Sequence, residues 1–320
     1  MHRSIKEVKN MSLKSLPTQE YFTQGHRLCS GCGAAVALRQ IFTALDKPPI
    51  IVNATSCVEV STTPYPYTAW TVPWIHPAFE CTAATASGIE AGLKALQRKG
   101  RSPKTDNPII AIAGDGGTYD IGLQALSGAL ERGHNFTYIC YNNSAYMNTG
   151  IQRSGATPKF GWTTTSAVGK KIPGKVEFPK DIMKIVVAHE IPYAATASPA
   201  YPMDLIRKVR KAITVEGPSF IVVLAPCPRG WRTESSLTIE IARLSVLTRY
   251  WPLYEVENGR YKITKKVVKK RPVEEYLKHQ GRFRHLFRPE RRDDLIKEIQ
   301  DYVDKKWHEL LVLEEATSKL

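Results

Sequence analysis

Two polar residues that could ligate a metal ion follow two apolar runs in the middle of the chain. Residues 109–113 lead into a Gly-Asp-Gly-Gly turn that contains Asp115, and residues 136–141 lead into an Asn-Asn pair that ends at Asn143. The segment between them has helical apolar spacing, so the pattern predicts a strand, a glycine-rich turn, a helix and a second strand. The carboxyl ends of strands in an open α/β sheet meet at one edge, which would bring Asp115 and Asn143 together.

The residue types at this edge suit a bound diphosphate. Carboxylate and amide oxygens are ligands for Mg²⁺, which keeps phosphate oxygens among its other ligands. Gly114, Gly116 and Gly117 would let backbone N–H groups approach those phosphates. The pattern therefore predicts a magnesium–diphosphate site, and a plain tight turn after a core strand is the alternative interpretation.

Four of the six cysteines could form a second site. Cys29 and Cys32 form a CxxC motif, which by itself could belong to a redox dithiol, a zinc site or an iron–sulfur site. Cys57 and Cys227 each follow a predicted strand, so all four thiols could converge at the same sheet edge. Four thiolates suit zinc or a 4Fe–4S cluster, and the spacing favours the cluster.

The elements that must position these residues alternate along the chain. Strands are predicted at residues 49–54, 109–113, 136–141, 191–197 and 219–225, and helices at 31–46, 78–98, 121–132, 181–189, 201–216 and 293–313. This alternation predicts an α/β fold with a doubly wound, mostly parallel sheet. Residues 62–77 and 150–175 are predicted to be long loops, which usually have a function or a partner. Cys81 and Cys140 fall within predicted elements and are interpreted as structural thiols.

Composition divides the 320 residues into three parts. We expect an irregular N-terminal arm at residues 1–25, an α/β domain at 26–250 and a charged C-terminal extension at 251–320. The apolar fraction of 42% is enough for a sizeable core. No apolar run reaches the length of a membrane span, and the first residues lack the pattern of a secretory signal, so we expect a cytoplasmic protein without membrane contact.

The chain is strongly basic, with 45 Lys and Arg against 30 Asp and Glu, a net charge of +15. The excess is concentrated near the C-terminus. A nucleic-acid partner, an acidic protein partner and a solvated basic face are the three interpretations. No nucleic-acid motif accompanies the charge.

The two sites together resemble a known family. The Gly-Asp-Gly and Asn-Asn pattern resembles the thiamine diphosphate (ThDP) motif, and with the four cysteines the chain resembles the β subunit of the pyruvate:ferredoxin oxidoreductase (2-oxoacid:ferredoxin oxidoreductase) family. The motifs are GHRLCSGCG at 25–33, CVEV at 57–60, TPYPY at 63–67, GDGG at 114–117, YMNTGIQRS at 146–154 and APCP at 225–228. The resemblance covers most of residues 20–255, and it implies a ThDP-binding type of sheet.

The resemblance implies a role for each residue of the ThDP site. Asp115 and Asn143 would ligate Mg²⁺ through their side chains and Ala145 through its backbone carbonyl. Asn148 would face the thiazolium and the substrate. Gly31 would lie against the cofactor.

It also implies a role for each of the four cysteines. Cys29, Cys32, Cys57 and Cys227 would ligate a 4Fe–4S cluster next to ThDP, and Cys32 would also touch the cofactor. The glutamate that activates the cofactor comes from the α subunit in this family, so Glu59 is interpreted as a local anchor beside the cluster.

The implied activity is reversible oxidative decarboxylation of a 2-oxoacid, with pyruvate the first choice. Coenzyme A would take the acyl group, ferredoxin would take the electrons, and α, γ and δ subunits would complete the complex. A non-redox ThDP enzyme and a basic zinc-dependent nucleic-acid-binding module are the rival hypotheses. The sequence specifies neither the 2-oxoacid nor the direction and stoichiometry.

One departure from the family pattern bears on the substrate. Asn142 and Ser144 flank Asn143, where pyruvate members of the family usually have an aspartate and a glutamate. Neutral drift is the first interpretation. The second is a site that tolerates a dianionic substrate such as oxalate, with a branched-chain 2-oxoacid as a further alternative, because a nearby charge contributes roughly 1 kcal/mol in water and more at lower dielectric.

Overall fold

A single mixed sheet of eight strands organises the part of the chain that this computed structural model describes, residues 16–102 and 106–319. The strands are β1 (Ile50–Asn53), β2 (Trp74–Ile75), β3 (Ile109–Gly114), β4 (Thr137–Asn142), β5 (Tyr193–Ala197), β6 (Ser219–Leu224), β7 (Tyr254–Glu257) and β8 (Arg260–Ile263). Their order in the sheet is β2-β1-β3-β4-β6-β5-β7-β8. The pairs from β2 to β5 are parallel, and β7 and β8 are antiparallel, which confirms the predicted mostly parallel α/β fold.

Helices connect the strands. They are α1 (Gly33–Phe42), α2 (Cys57–Thr62), α3 (Thr82–Arg98), α4 (Leu123–Glu131), α5 (Ile182–Val187), α6 (Pro202–Ala212), α7 (Pro228–Trp231), α8 (Thr238–Leu247), α9 (Glu274–Leu277) and α10 (Asp293–Ala316). A π-helical turn at Gly117–Ile121 precedes α4, and 3₁₀ turns occur at Ser235–Leu237 and Gly281–Leu286. Each predicted helix and strand is present with shifted ends.

Apolar side chains cover both faces of the sheet. Side chains alternate along a strand, so Ile110 and Ile112 of β3 pack on one face, and Ala111 and Ala113 pack on the other. Helices α1 and α6 cover the first face, and α3, α4 and α5 cover the second. Full burial of an isoleucine contributes about 1.5–3 kcal/mol to the stability of the fold. These two packed layers hold the strands in place and thereby fix the positions of the strand ends.

The segment at residues 62–77 is not one uninterrupted loop, and that prediction is wrong at β2. Trp74 and Ile75 pair in parallel with Ile51 and Val52 of β1. A two-residue strand is too short to show the alternation by which strands are recognised in a sequence. The second predicted loop, at residues 150–175, contains only isolated bridges and turns.

The C-terminal extension joins the main sheet. Strand β7 pairs with β5, and β8 pairs with β7, so this hairpin forms one edge of the sheet. Helix α10, predicted at 293–313, packs Trp307 and Leu310 against Ile263 of β8. In the described ranges, no helix has the length and apolar content needed to cross a bilayer.

Part of the predicted N-terminal arm packs on the domain. Residues 1–15 of the arm lie outside the described residues. Phe22 is 2% exposed, pairs with Trp70 and stacks on His26. The backbone N–H of Thr23 donates to the carbonyl of Ala69 at 2.8 Å. The end of the arm therefore covers the segment that leads to β2.

Candidate active site

The two predicted magnesium ligands meet at the carboxyl edge of the sheet. Asp115 follows β3 and Asn143 follows β4, and these strands are direct neighbours. The backbone N–H of Asn143 donates to Asp115 Oδ1 at 3.1 Å. Ser154, from the long loop, donates its hydroxyl to Asp115 Oδ2 at 2.5 Å. The parallel pairing of β3 and β4 brings these distant parts of the sequence together.

The side chains of Asp115 and Asn143 and the backbone carbonyl of Ala145 face one another. One end of the Asn143 amide lies 2.9 Å from the carbonyl oxygen of Ala145 and 3.0 Å from Asp115 Oδ1. With the amide nitrogen at that end, the side chain donates two hydrogen bonds. With the amide oxygen there, three oxygen atoms face one another and no hydrogen bond joins them. Hydrogen-bond networks decide the orientation of such an amide. A divalent cation favours the three-oxygen arrangement, so these residues fit Mg²⁺.

The Asp115 carboxyl is fully buried, and burial raises its pKa to about 7. The Ser154 hydroxyl and the Asn143 N–H act in the opposite direction and favour the carboxylate. A buried carboxylate without a positive charge is unfavourable. A cation beside Asp115 would supply that charge and keep the group ionised.

An open cleft lies next to these oxygens and encloses about 310 Å³ of empty space. Residues that line it include Cys57, Gly114, Asn143, Ala145, Tyr146 and Asn148. Gly116 is required here because a Cβ would lie 2.4 Å from the ring of Tyr146, whose hydroxyl donates to the Gly116 carbonyl at 2.9 Å. Gly117 also lines the cleft. The backbone of the glycine turn is therefore open to a ligand on one side.

Three of the four predicted cluster cysteines lie at helix N-termini. Cys32 precedes α1, Cys57 begins α2 and Cys227 precedes α7, and Cys227 Sγ accepts from the Gly230 N–H at 3.3 Å. Cys29 is exposed. The N-terminus of a helix favours a negative charge, but burial outweighs this effect and raises the pKa of all three thiols, so thiolates at these positions need a cation beside them.

Close backbone packing brings the CxxC motif to Cys227. The N–H of Gly33 donates to the carbonyl of Pro226 at 3.0 Å, and a Cβ on Gly33 would lie 2.6 Å from the Pro226 nitrogen. Only glycine permits this approach between the CxxC motif and the end of β6.

The four thiols lie near enough to affect one another. Burial, the largest cause, acts together with Cys227, Cys32 and Cys29 to raise the pKa of Cys57 to about 12. Burial likewise raises the pKa of Cys227 to about 11, with Cys32 and Cys29 acting in the same direction. Four thiolates here would repel each other, so the site suits a cationic inorganic core that offsets their charges.

The side chains of the four cysteines do not converge on a single point. Within residues 16–102 and 106–319, no group of three or more His, Cys, Asp or Glu side chains could hold one metal ion. A 4Fe–4S cluster takes one thiolate on each of four irons, so its ligands need not meet at one point. The donor set, its helix N-termini and its mutual electrostatics fit such a cluster.

Trp231 connects the two candidate sites. Its side chain is fully buried, and its Nε1 donates to the carbonyl of Asn143 at 2.7 Å. Its backbone N–H donates to the carbonyl of Cys227 at 2.8 Å. One residue therefore contacts both the predicted magnesium loop and a predicted cluster ligand. Nothing in its sequence context indicated this, because the contacts depend on the pairing of β4 with β6.

The remaining predicted residues have different environments. Asn148 is exposed and lines the cleft. Gly31 has a positive φ of 69° and packs against the Ser235 backbone, outside the cleft lining. Glu59 accepts from the Thr63 hydroxyl at 3.3 Å and lies 3.6 Å from His76, contacts that suit a local anchor. Cys140 is fully buried in β4, as a structural thiol should be.

The residues that flank Asn143 point away from the cleft. Asn142 donates to the Tyr119 hydroxyl at 3.1 Å and accepts from the Ser144 N–H at 2.9 Å. Both flanking residues are buried, and neither lines the cleft. Their contacts are structural and give no support to the hypothesis of a site adapted to oxalate.

Ser154 is a candidate functional residue whose role was not predicted from the sequence. It belongs to the YMNTGIQRS motif, and its hydroxyl is one of two groups that hydrogen-bond the Asp115 carboxylate. Thr157 supports it, because the Ser154 N–H donates to Thr157 Oγ1 at 2.9 Å, and that hydroxyl donates to the carbonyl of Ser144 at 2.8 Å. A serine in a loop carries no sequence signal that separates this role from an ordinary turn.

Comparisons with known proteins show the family of this chain. Residues 54–223, more than half of the chain, match the family model described as thiamine pyrophosphate enzyme, C-terminal TPP binding domain. The chain is 55% identical to pyruvate synthase subunit PorB of Thermotoga maritima, with 92% of each chain covered. It is 49% identical to ketoisovalerate oxidoreductase subunit VorB of Pyrococcus abyssi, with 94% of this chain and 96% of that protein covered.

A solved structure has a similar fold. The 2-oxoglutarate:ferredoxin oxidoreductase from Magnetococcus marinus aligns with a TM-score of 0.50 and 19% identity, over 73% of this chain and 81% of that chain. The edge site, the family model and the identity over nearly the whole length lead to one conclusion. The chain belongs to the ThDP-dependent 2-oxoacid:ferredoxin oxidoreductase family, as the β subunit of a multi-subunit enzyme.

Proposed function

We propose that this β subunit holds Mg²⁺-thiamine diphosphate and the neighbouring 4Fe–4S cluster of an enzyme that acts on pyruvate. The reaction converts pyruvate, coenzyme A and oxidised ferredoxin into acetyl-CoA, CO₂ and reduced ferredoxin, and it is reversible. The observation that carries the proposal is that the Asp115 and Asn143 side chains, the Ala145 carbonyl and four mutually interacting thiols lie at one sheet edge. The α, γ and δ subunits, or fused equivalents, complete the enzyme in the cytoplasm.

The oxygen ligands hold the cofactor by its diphosphate. Asp115, Asn143 and Ala145 hold Mg²⁺, and the backbone of the glycine turn approaches the phosphates. When bound, thiamine diphosphate would supply a nucleophilic carbanion and a thiazolium ring that takes up the electron pair released on decarboxylation. Asn148, exposed at the cleft, orients the substrate by hydrogen bonding, and Tyr146 closes one wall against water.

The cysteines hold the electron acceptor. Cys29, Cys32, Cys57 and Cys227 ligate the cluster, which accepts electrons one at a time when bound. Cys57 also lines the cleft, so the two cofactor sites share a wall. The relation to PorB proteins supports pyruvate as substrate.

A branched-chain 2-oxoacid is the second candidate, because the VorB relative is nearly as similar as the PorB relatives. A substrate panel on the anaerobically purified complex separates the two. Pyruvate, 2-oxoisovalerate, 2-oxoglutarate and oxalate are compared by kcat/KM with a viologen acceptor. A preference for pyruvate is expected, and a higher kcat/KM for 2-oxoisovalerate would transfer the assignment to the branched-chain substrate.

The magnesium role of Asp115 has a direct test. Asp115→Ala should lose bound ThDP and Mg²⁺ from the purified complex while its iron content stays at the wild-type level. Asp304→Ala, an exposed carboxylate paired with Lys270, is the control and should retain all cofactors. Extraction followed by ThDP and metal analysis measures the result, and wild-type ThDP content in Asp115→Ala would remove the residue from the site.

A further inference from the structure

Arg282 is a buried cation with no acidic side chain to pair with among residues 16–102 and 106–319. Its residue is 3% exposed, and its Nε donates to Gln280 Oε1 at 2.9 Å. Its Nη2 has no hydrogen-bond partner among the described residues. The salt bridges found in those ranges do not include Arg282. A buried, unpaired guanidinium is unfavourable unless a negative charge lies near it.

The position of Arg282 indicates where that charge would be. The guanidinium carbon lies 4.0 Å from the centroid of the Trp231 ring. Trp231 ends the short helix α7 that starts after Cys227, and its N–H donates to the Cys227 carbonyl. The N–H of Gly281 donates to the carbonyl of Arg232 at 3.1 Å, which fixes the 3₁₀ turn against α7.

Cys227 lies within electrostatic reach of this arginine. Burial lowers the pKa of Arg282, whereas Tyr276, Tyr250 and Cys227 raise it. Neutral thiols and phenols do not balance a buried positive charge. Four thiolates around an iron–sulfide core leave a net negative charge, and one-electron reduction makes that charge more negative.

We propose that Arg282 is the internal counter-charge of the four-cysteine site and raises the reduction potential of the cluster held there. This inference rests on the proposed function, since it assigns a role toward that cluster. The positive charge stabilises the reduced state more than the oxidised state, because the reduced state carries more negative charge. Arg282 does not line the cleft, so its assigned role is to tune the cluster and not to take part in catalysis.

The test is a redox titration of the anaerobically purified complex followed by electron paramagnetic resonance. The signal of this site is the one that Cys57→Ser removes. Arg282→Gln deletes the positive charge. Gln280→Glu places a carboxylate beside the guanidinium and neutralises its charge, although the hydrogen bond from the Gln280 amide to the Tyr276 carbonyl is lost. Both should disfavour reduction at least tenfold, a shift of about 59 mV to lower potential for a one-electron couple.

Two variants serve as controls. Arg282→Lys keeps the charge and should stay close to the wild-type potential. Arg249→Gln removes a second arginine, whose guanidinium carbon lies 4.6 Å from the centroid of the Trp307 ring. Within the described part of the chain, the Nε of Arg249 also has no hydrogen-bond partner. Arg249→Gln should leave the potential unchanged.

The outcomes separate this inference from the proposed function. A wild-type complex without the Cys57-dependent signal would contradict the cluster itself. A present signal with an unchanged potential in Arg282→Gln and Gln280→Glu would overturn the role of Arg282 alone. An equal shift in Arg249→Gln would also overturn it, and Gln280→Glu decides the matter if Arg282→Gln does not assemble.

Discussion

At the scale of single residues, hydrogen bonds behind the ligands determine the geometry of the site. Trp231 holds the carbonyl of Asn143, and Ser154 holds the second oxygen of Asp115. Thr157 links the loop of Ser154 to the backbone of Ser144. These groups hold the proposed magnesium ligands in place without a cation, which would lower the entropy lost on cation binding.

Trp231→Phe should weaken ThDP binding about tenfold while the iron content remains. The substitution keeps the aromatic packing but leaves the buried carbonyl of Asn143 without its donor, at a cost of about 1–3 kcal/mol. Titration of ThDP into cofactor-depleted complex measures the dissociation constant. Trp307→Phe, on the far helix α10, is the matched control, and equal affinity in both variants would refute the link.

Lys175 supports the same loop and predicts a pH dependence. It is 3% exposed, its Nζ donates to the Thr157 carbonyl at 2.7 Å, and burial lowers its pKa from 10.5 to about 8. The unfolded chain therefore binds more protons between pH 8 and 10.5, so this residue adds stability as pH rises through that window.

Relative to Lys175→Met, the wild type should gain up to about 3 kcal/mol between pH 8 and pH 10.5. Urea midpoints of the two proteins at both pH values give the difference, in which the titrations common to both cancel. The exposed Lys171→Met should show no such change relative to wild type. A pH-independent difference for Lys175→Met would show that the lysine titrates normally.

At the scale of elements, the C-terminal extension protects an edge of the sheet. Strand β8 is the edge strand, and helix α10 supplies side chains to its backbone. Glu314 Oε1 accepts from the Ile263 N–H at 2.7 Å, and Thr317 Oγ1 accepts from the Tyr261 N–H at 2.9 Å. Covered N–H groups cannot pair with another chain, so α10 lowers the tendency to aggregate.

Glu314→Ala should destabilise this edge by about 1–2 kcal/mol and increase aggregation on heating, because the Ile263 N–H loses its acceptor. Glu314→Gln keeps an acceptor oxygen and loses only the exposed ion pair with Lys266, so it should behave like wild type. Light scattering during a thermal ramp compares the three proteins. Equal aggregation in both variants would attribute the effect to charge.

At the scale of the whole molecule, an exposed aromatic segment follows helix α2, which begins at the cleft. Tyr65 is 98% exposed and Tyr67 is 68% exposed, and both follow α2, whose first residue, Cys57, lines the cleft. Exposed aromatic rings are typical of a subunit interface. The basic extension is different, because several of its cations are paired within the chain, as Lys270 is with Asp304.

Replacing Tyr65 and Tyr67 with serine should weaken assembly with the partner subunit while this chain keeps its fold. Loss of two aromatic anchors commonly costs more than 1 kcal/mol each at an interface. Co-purification from a strain that expresses the whole complex, with a tagged partner subunit, measures the yield. Val268→Ser, 89% exposed on the extension, is the control, and unchanged yield in the tyrosine variant would place the interface elsewhere.

The local sequence was enough to predict five of the eight strands and the polar residues that follow them. The apolar runs before Asp115 and Asn143 have a strand-like composition and end in turn residues, so both strand ends could be located. Cys57 and Cys227 were placed by the same argument. The hairpin of β7 and β8 and the short β2 were missed, because their few residues show too little periodicity and depend on neighbours far along the chain.

By itself, the sequence determined the fold class and the family, because these follow from local periodicity and from motifs whose spacing is preserved in one dimension. Only the tertiary structure decided which groups support the ligands. Trp231 reaches Asn143, and Arg282 reaches α7, across long stretches of chain. Such contacts depend on the packing of non-neighbouring elements, and no local pattern of residue types encodes them.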